Sequence, residues 1–290
     1  MVELLIQIVV LIGLFIGSYT DFKSREVPDW VNFSLIAIGF AIGTLASSIY
    51  GTWAYLLNSI FGFLLCLAIA LLMFHTGQWG GGDSKMIMGL GALIGLNIFN
   101  IDYKGYSLIS FFVNVLIAGA FYGIFWSVIL SIKNGKKFRH EIKKRMSGKK
   151  LYSLFNVFFV IALVILTYII IATKNILLKI NMFMIVMLII LYYLWHLVKI
   201  VEKVCMYKYV SPRELTEGDW IARNVKINGK NICGPKDLGI TKKQISQLIN
   251  YAKIGKIKKI LIKEGIPFVP SFLVAYILTI LYGNVLLIFL

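Results

Sequence analysis

The chain has 290 residues, 59% hydrophobic and 15% charged, with a mean hydropathy of +0.83. Such a composition excludes an ordinary water-soluble globule, and its repeated uncharged runs, near the roughly 20 residues that cross a bilayer, indicate a multi-pass membrane protein. The net charge of +17 would suggest a nucleic-acid partner in a soluble protein; here the basic residues read as topology signals that also touch anionic headgroups, and no nucleic acid is expected.

In chain order the apolar segments are Glu3–Thr20, Trp30–Tyr50, Thr52–Phe74, Ser84–Phe99, Gly105–Ile132, Leu151–Thr173, Ile180–Val198 and Pro267–Leu290. The first lacks a basic start and an A-x-A cleavage site, so it reads as a retained helix rather than a secretory signal. The fourth is short and the last contains Gly283-Asn284, which suits a tilted or re-entrant segment as well as a plain span. If the loop after the first span is cytoplasmic, all of the 30 basic residues except Lys104, Lys174 and Lys179 fall on the cytoplasmic side. By the positive-inside rule this predicts about eight spans with both termini outside. Trp30, Trp53 and Trp79 fall at span ends, where amphipathic rings favour the interface.

The one segment that reads as water-soluble is about 202–264. Within it, Ile221–Ile227 and Lys230–Cys233 flank Asn228-Gly229, a pair suited to a tight type I′ hairpin. Thr241-Lys-Lys-Gln244 reads as a capping box opening an amphipathic helix with Ile245, Leu248, Ile249 and Ala252 on one face. A short strand at Lys258–Lys263 follows. About sixty residues make a small independent core, so this module is expected to dock on the membrane part or on a partner. The expected architecture is thus an all-α polytopic membrane protein with a small cytosolic α+β module before the last span. Residues 1–132 form a membrane part, 133–150 a basic cytosolic loop, 151–201 further spans, 202–264 the module and 265–290 a C-terminal membrane helix.

Little of this chain is equipped for chemistry. Cys66, Cys205 and Cys233 form no C-x-x-C, and His75, His140 and His196 stand far apart. No metal site, acyl-transfer triad or cofactor is therefore expected. Of thirteen carboxylates, the cytoplasmic edge of the spans holds Asp21, Glu26, Asp29 and Asp83. Asp21 follows the first apolar run and Asp83 opens the fourth, behind Gly80-Gly81-Gly82, so the predicted topology puts both at one membrane level. Two carboxyls held close share a proton: one takes a proton from water while the other gives one to a carbonyl oxygen or leaving group. That arrangement hydrolyses amides without a metal or a nucleophilic serine. The ordinary alternative for Asp83 is that it caps the free N–H groups of its own helix.

Gly80-x-Gly82-Asp83 with Ser84-Lys85, the small-residue run Met86–Gly95 and Asp21-x6-Pro28 in a polytopic chain resembles the type IV prepilin and archaeal preflagellin peptidases, membrane aspartyl proteases of the G-x-G-D class. The module and Gly265-Ile-Pro267-Phe-Val-Pro270 look like the archaeal branch. The resemblance implies removal of a short basic leader from pilin-like or archaellin precursors, cut at the cytoplasmic membrane face just before their hydrophobic helix, with Asp21 and Asp83 as the catalytic pair. The sequence departs from many bacterial members in lacking an N-terminal domain with paired C-x-x-C motifs, so the resemblance leaves open the amino-terminal methylation that the bacterial enzymes add. Supporting roles fall to Gly80 and Gly82, which permit close backbone approach, and to Pro267 and Pro270, which either leave carbonyls facing substrate or simply start the last helix. Lys85 either pairs with Asp83 or snorkels to headgroups. The reading from another class is an ion or solute transporter with Asp21, Asp83 and Lys85 in a polar path.

Overall fold

A computed structural model describes every residue except 1, 99, 103, 148, 149, 228, 238, 289 and 290. Asn228 of the expected hairpin turn, Phe99 at the end of the fourth apolar run and Leu290 at the end of the last therefore lie outside the described residues.

The apolar runs are helical because in hydrocarbon each backbone N–H and C=O must find its partner within the segment. The helices are α1 (Val2–Ser24), α2 (Asp29–Tyr50), α3 (Ala54–His75), α4 (Gly81–Ile94), α5 (Leu108–Lys133), α6 (Gly135–Ser147), α7 (Lys150–Ala172), α8 (Ile176–Val201), α9 (Lys242–Lys253) and α10 (Val269–Tyr282). Among the described residues five helices, α1, α2, α3, α5 and α8 with its continuation, are long and apolar enough to cross a membrane. The apolar stretch Ile161–Ala172 of α7, and α10, are shorter. The chain is a mostly helical multi-pass membrane protein carrying a small sheet module.

It divides into two compact units, Met1–Phe125 with Tyr209–Leu290, and Trp126–Lys208. In the first, α4 packs between α2 and α3 along a seam of small residues. A Cβ on Gly62 of α3 would strike the Gly91 carbonyl of α4, and one on Gly39 of α2 would stand 2.8 Å from Ala92. The expected fourth run ends early, because Gly95 turns to φ 72° and Leu96 gives its N–H to the Asn58 carbonyl at 2.8 Å. At fourteen residues α4 is about 21 Å long, short of the ~30 Å hydrocarbon core. Two further elements differ from expectation. α1 runs through Asp21 to Ser24, because no helix breaker precedes Arg25, so Asp21 lies inside the last turns rather than after the helix. The segment read as a basic loop is helical from Gly135 to Ser147, its Lys and Arg being good helix formers.

α10 packs on α1 and stops at Gly283 (φ 64°), followed by a 3₁₀ turn, Val285–Ile288. Buried Asn114 of α5 satisfies this break: its amide donates to Thr279 Oγ1 (2.9 Å) and the Gly283 carbonyl (2.7 Å), and its Oδ1 accepts the Val285 N–H (3.1 Å). Asn114→Ala orphans these groups at about 1–3 kcal/mol for each one left buried. We expect a thermal midpoint in detergent lower by several degrees; an unchanged midpoint would show that the break needs no partner.

The module has a three-stranded sheet in the order β1 (Tyr207–Val210), β5 (Ile260–Lys263), β2 (Trp220–Ile221), and a hairpin of β3 (Val225–Ile227) with β4 (Lys230–Cys233). The expected hairpin forms with a shorter first arm, because Ile221 pairs with Ile262 of β5 instead. The Thr241/Gln244 capping box forms as expected and opens α9, whose Leu248 is fully buried among Ile221, Ile240 and Ile262.

In the second unit α7 packs on α8, with the Phe159 ring stacked on Tyr192 at 5.9 Å. His196 bonds the Tyr192 carbonyl of its own helix at 3.1 Å.

Candidate active site

Two helix beginnings and one helix end meet around the aspartates. Asp83 is the third residue of α4, and its Oδ2 accepts the Gly80 N–H at 3.0 Å. This is the capping role weighed from sequence, and it sets the carboxyl at the positive end of the α4 dipole. Gly80, Gly81 and Gly82 all keep ordinary negative φ, so the conformational freedom expected of the triple glycine is not used there. Close approach is: a Cβ on Gly82 would stand 3.1 Å from the Val27 backbone nitrogen, which holds the α1–α2 connection against the start of α4.

Asp21, 5% exposed, reaches from α1 to the start of α10, where its Oδ2 accepts the Val269 N–H at 3.0 Å. The first N–H groups of a helix have no partner in their own turn. Here Val269 is bonded to Asp21, Pro270 has no N–H, and the Ser271 N–H goes to the Phe268 carbonyl at 2.9 Å. Each aspartate therefore sits at a helix N-terminus, Asp83 at its own and Asp21 at a neighbour's, and both dipoles offset part of the cost of burying the carboxylates.

The two ends are joined by packing. Trp79, just before the glycines, lies with its ring 6.2 Å from Phe268 and 5.4 Å from Phe272, so the loop entering α4 rests on the segment that presents Val269 to Asp21. One turn before Asp21, Gly17 leaves room for Met86 of α4 and Val269 of α10. Asp21 and Asp83 thus stand at one end of one helix cluster.

Several expectations change. Lys85 pairs with Asp29 Oδ1, at 2.5 Å, and lies over the Phe33 ring at 5.6 Å, so it does not pair with Asp83. Residue 85 is two places further round α4, on the face turned to α2. Pro270 takes the helix-starting role in the first turn of α10, while Pro267 precedes that helix. The Phe268 carbonyl between them is occupied by the Ser271 N–H and hydroxyl (2.7 Å). Trp79 is packed inward, unlike Trp30 and Trp53, which are 63% and 74% exposed. Sequence reasoning missed Trp79 and Phe268 as site residues; the signal was an aromatic next to the glycine run and another between two prolines. Among the described residues no three His, Cys, Asp or Glu side chains gather as a metal site.

Residues 8–126, which include both aspartates, match the type IV leader peptidase family. Over this segment the chain is similar to that family. It is 38% identical over 133 residues to a preflagellin peptidase of Methanocaldococcus jannaschii (42% of this chain, 55% of that one). A preflagellin peptidase of Methanococcus maripaludis is 32% identical over 133 residues, covering 42% and 56% of the two chains. One from Methanococcus voltae is 42% identical over 84 residues, or 29% and 36%. The chain spans about half the length of the first two curated relatives. The sheet module lies outside the leader peptidase match.

Proposed function

We propose that the chain is a membrane aspartyl endopeptidase that removes the short basic leader from prepilin-like or preflagellin (archaellin) precursors. What supports this reading is that Asp21 bonds the Val269 N–H while the adjacent Phe268 packs on Trp79, four residues before Asp83. One carboxylate takes a proton from water as its oxygen attacks the scissile carbonyl carbon, and the other, protonated, hydrogen-bonds the carbonyl oxygen. Transfer of a proton to the leaving nitrogen then breaks the C–N bond. Gly80 and Gly82 keep the wall beside Asp83 free of side chains, and Pro267 and Pro270 fix the segment that holds Asp21; Lys85, paired with Asp29, anchors α4 to α2.

In this reading the eight apolar helices α1–α5, α7, α8 and α10 all enter the bilayer, with both termini outside and the aspartates, α6 and the module on the cytoplasmic side. The basic residues there face anionic headgroups, and a leader cut at this boundary never has to cross the membrane. No specific observation favours the transporter alternative.

The test is incubation of the full chain in proteoliposomes with a precursor bearing a basic leader and an apolar N-terminal helix. Release of the leader is expected; an intact precursor accompanied by ion flux would replace the peptidase reading with the transporter.

A further inference from the structure

We propose that the sheet module is a clamp that positions both aspartates, acting through Trp220 and Glu264; this role rests on the peptidase reading above. In the β2–β5 pair Trp220 lies opposite Lys263, so Trp220 and Glu264 leave the same end of the pair. Trp220 lays its ring on Gly77. A Cβ at residue 77 would stand 2.8 Å from the ring edge, and Gly77 has φ +70°, so both the contact and the turn depend on glycine there. That turn delivers Trp79, Gly80 and, six residues on from Gly77, Asp83.

Glu264 stands 4.0 Å from Arg25. Arg25 is the one described non-glycine residue with positive φ (60°), and its N–H bonds the Asp21 carbonyl at 3.0 Å. Non-glycine residues held in this region cluster at functional sites and need surrounding contacts to persist. From Glu264 the chain runs through Gly265–Phe268 directly into Val269, the N–H donor to Asp21. The module therefore touches the loop ahead of Asp83, the helix end behind Asp21, and the segment that donates to Asp21. An exposed ion pair at this separation contributes little, so Trp220 is the main anchor. Neither side chain touches reacting atoms; both are positioning residues, and their loss acts on rate more than on binding.

The experiment uses the full chain in proteoliposomes with a precursor that the wild type cleaves. Trp220→Ala is expected to lower kcat by about 10- to 100-fold, with KM changed less than roughly threefold, and Trp220→Phe to recover most of the rate. Hydrogen exchange is expected to quicken across residues 76–83 in Trp220→Ala while α2 and α3 stay protected. Unchanged kcat, or a loss confined to KM, overturns the clamp. Should Trp220→Ala fail to fold, Gly77→Ala, which drives a methyl group into the ring, carries the same expectations. A wild type that cleaves no precursor defeats the peptidase reading alone; the exchange measurement then decides the clamp, and unchanged exchange at 76–83 refutes it.

Discussion

Asp83→Asn and Asp21→Asn are each expected to slow precursor cleavage by about 10²- to 10⁴-fold, the scale of a lost general acid or base, while the folded protein persists. The hydrogen bonds explain why rate and stability separate. Asp83 accepts the Gly80 N–H and Asp21 accepts the Val269 N–H. An asparagine carbonyl oxygen of the same size accepts both bonds equally well but exchanges no proton near neutral pH. Alanine behaves differently at residue 21, because it leaves the buried Val269 N–H without its partner at a cost of about 1–3 kcal/mol. Asp21→Ala should therefore lose stability as well as activity, read as a lower thermal midpoint in detergent than Asp21→Asn. Equal midpoints for the two variants would mean that Asp21 does not hold the start of α10.

The second large effect is at the α3–α4 seam. Gly62→Val would push a branched side chain onto the Gly91 carbonyl, with its Cβ also about 2.8–2.9 Å from Gly95 backbone atoms. All of these are backbone atoms that cannot swing aside, so α3 and α4 must separate. Overpacking of this kind costs about 1–3 kcal/mol or more, and because α4 carries Asp83 at its start, cleavage should fall with stability. Gly123→Ala provides the control, since a Cβ there meets nothing within 4 Å. A Gly62→Val protein with the midpoint of Gly123→Ala would show that the seam is not tightly packed.

The parts of this molecule that sequence reveals are those whose physics is local. Length without charge marks the membrane helices, Thr241 and Gln244 mark the start of α9, and Gly80-x-Gly82-Asp83 marks the start of α4 with its carboxyl in the first turn. What sequence hid depends on partners distant in the chain. Lys85 has an acid two residues before it, yet its partner is Asp29, 56 residues away, because α2 lies along α4. Asp21 could be named as a lone acid at a helix end, but not as the cap of a helix that begins 248 residues later. The helical basic segment Gly135–Ser147 was hidden for a different reason, since its charge pattern suits a solvated loop and a helix equally well. Trp79 read as an interfacial ring because nothing local reveals that Phe268 and Phe272 cover it.

The most direct measurement of the central claim, that Asp21 and Asp83 together hydrolyse one peptide bond, is the mass of the products after purified wild type, Asp21→Asn and Asp83→Asn are each given the same precursor. A single cut between the basic leader and the apolar helix is expected for the wild type, and the same cut about 10²- to 10⁴-fold more slowly from both variants. Cleavage at that same bond by either folded variant at the wild-type rate would contradict the claim.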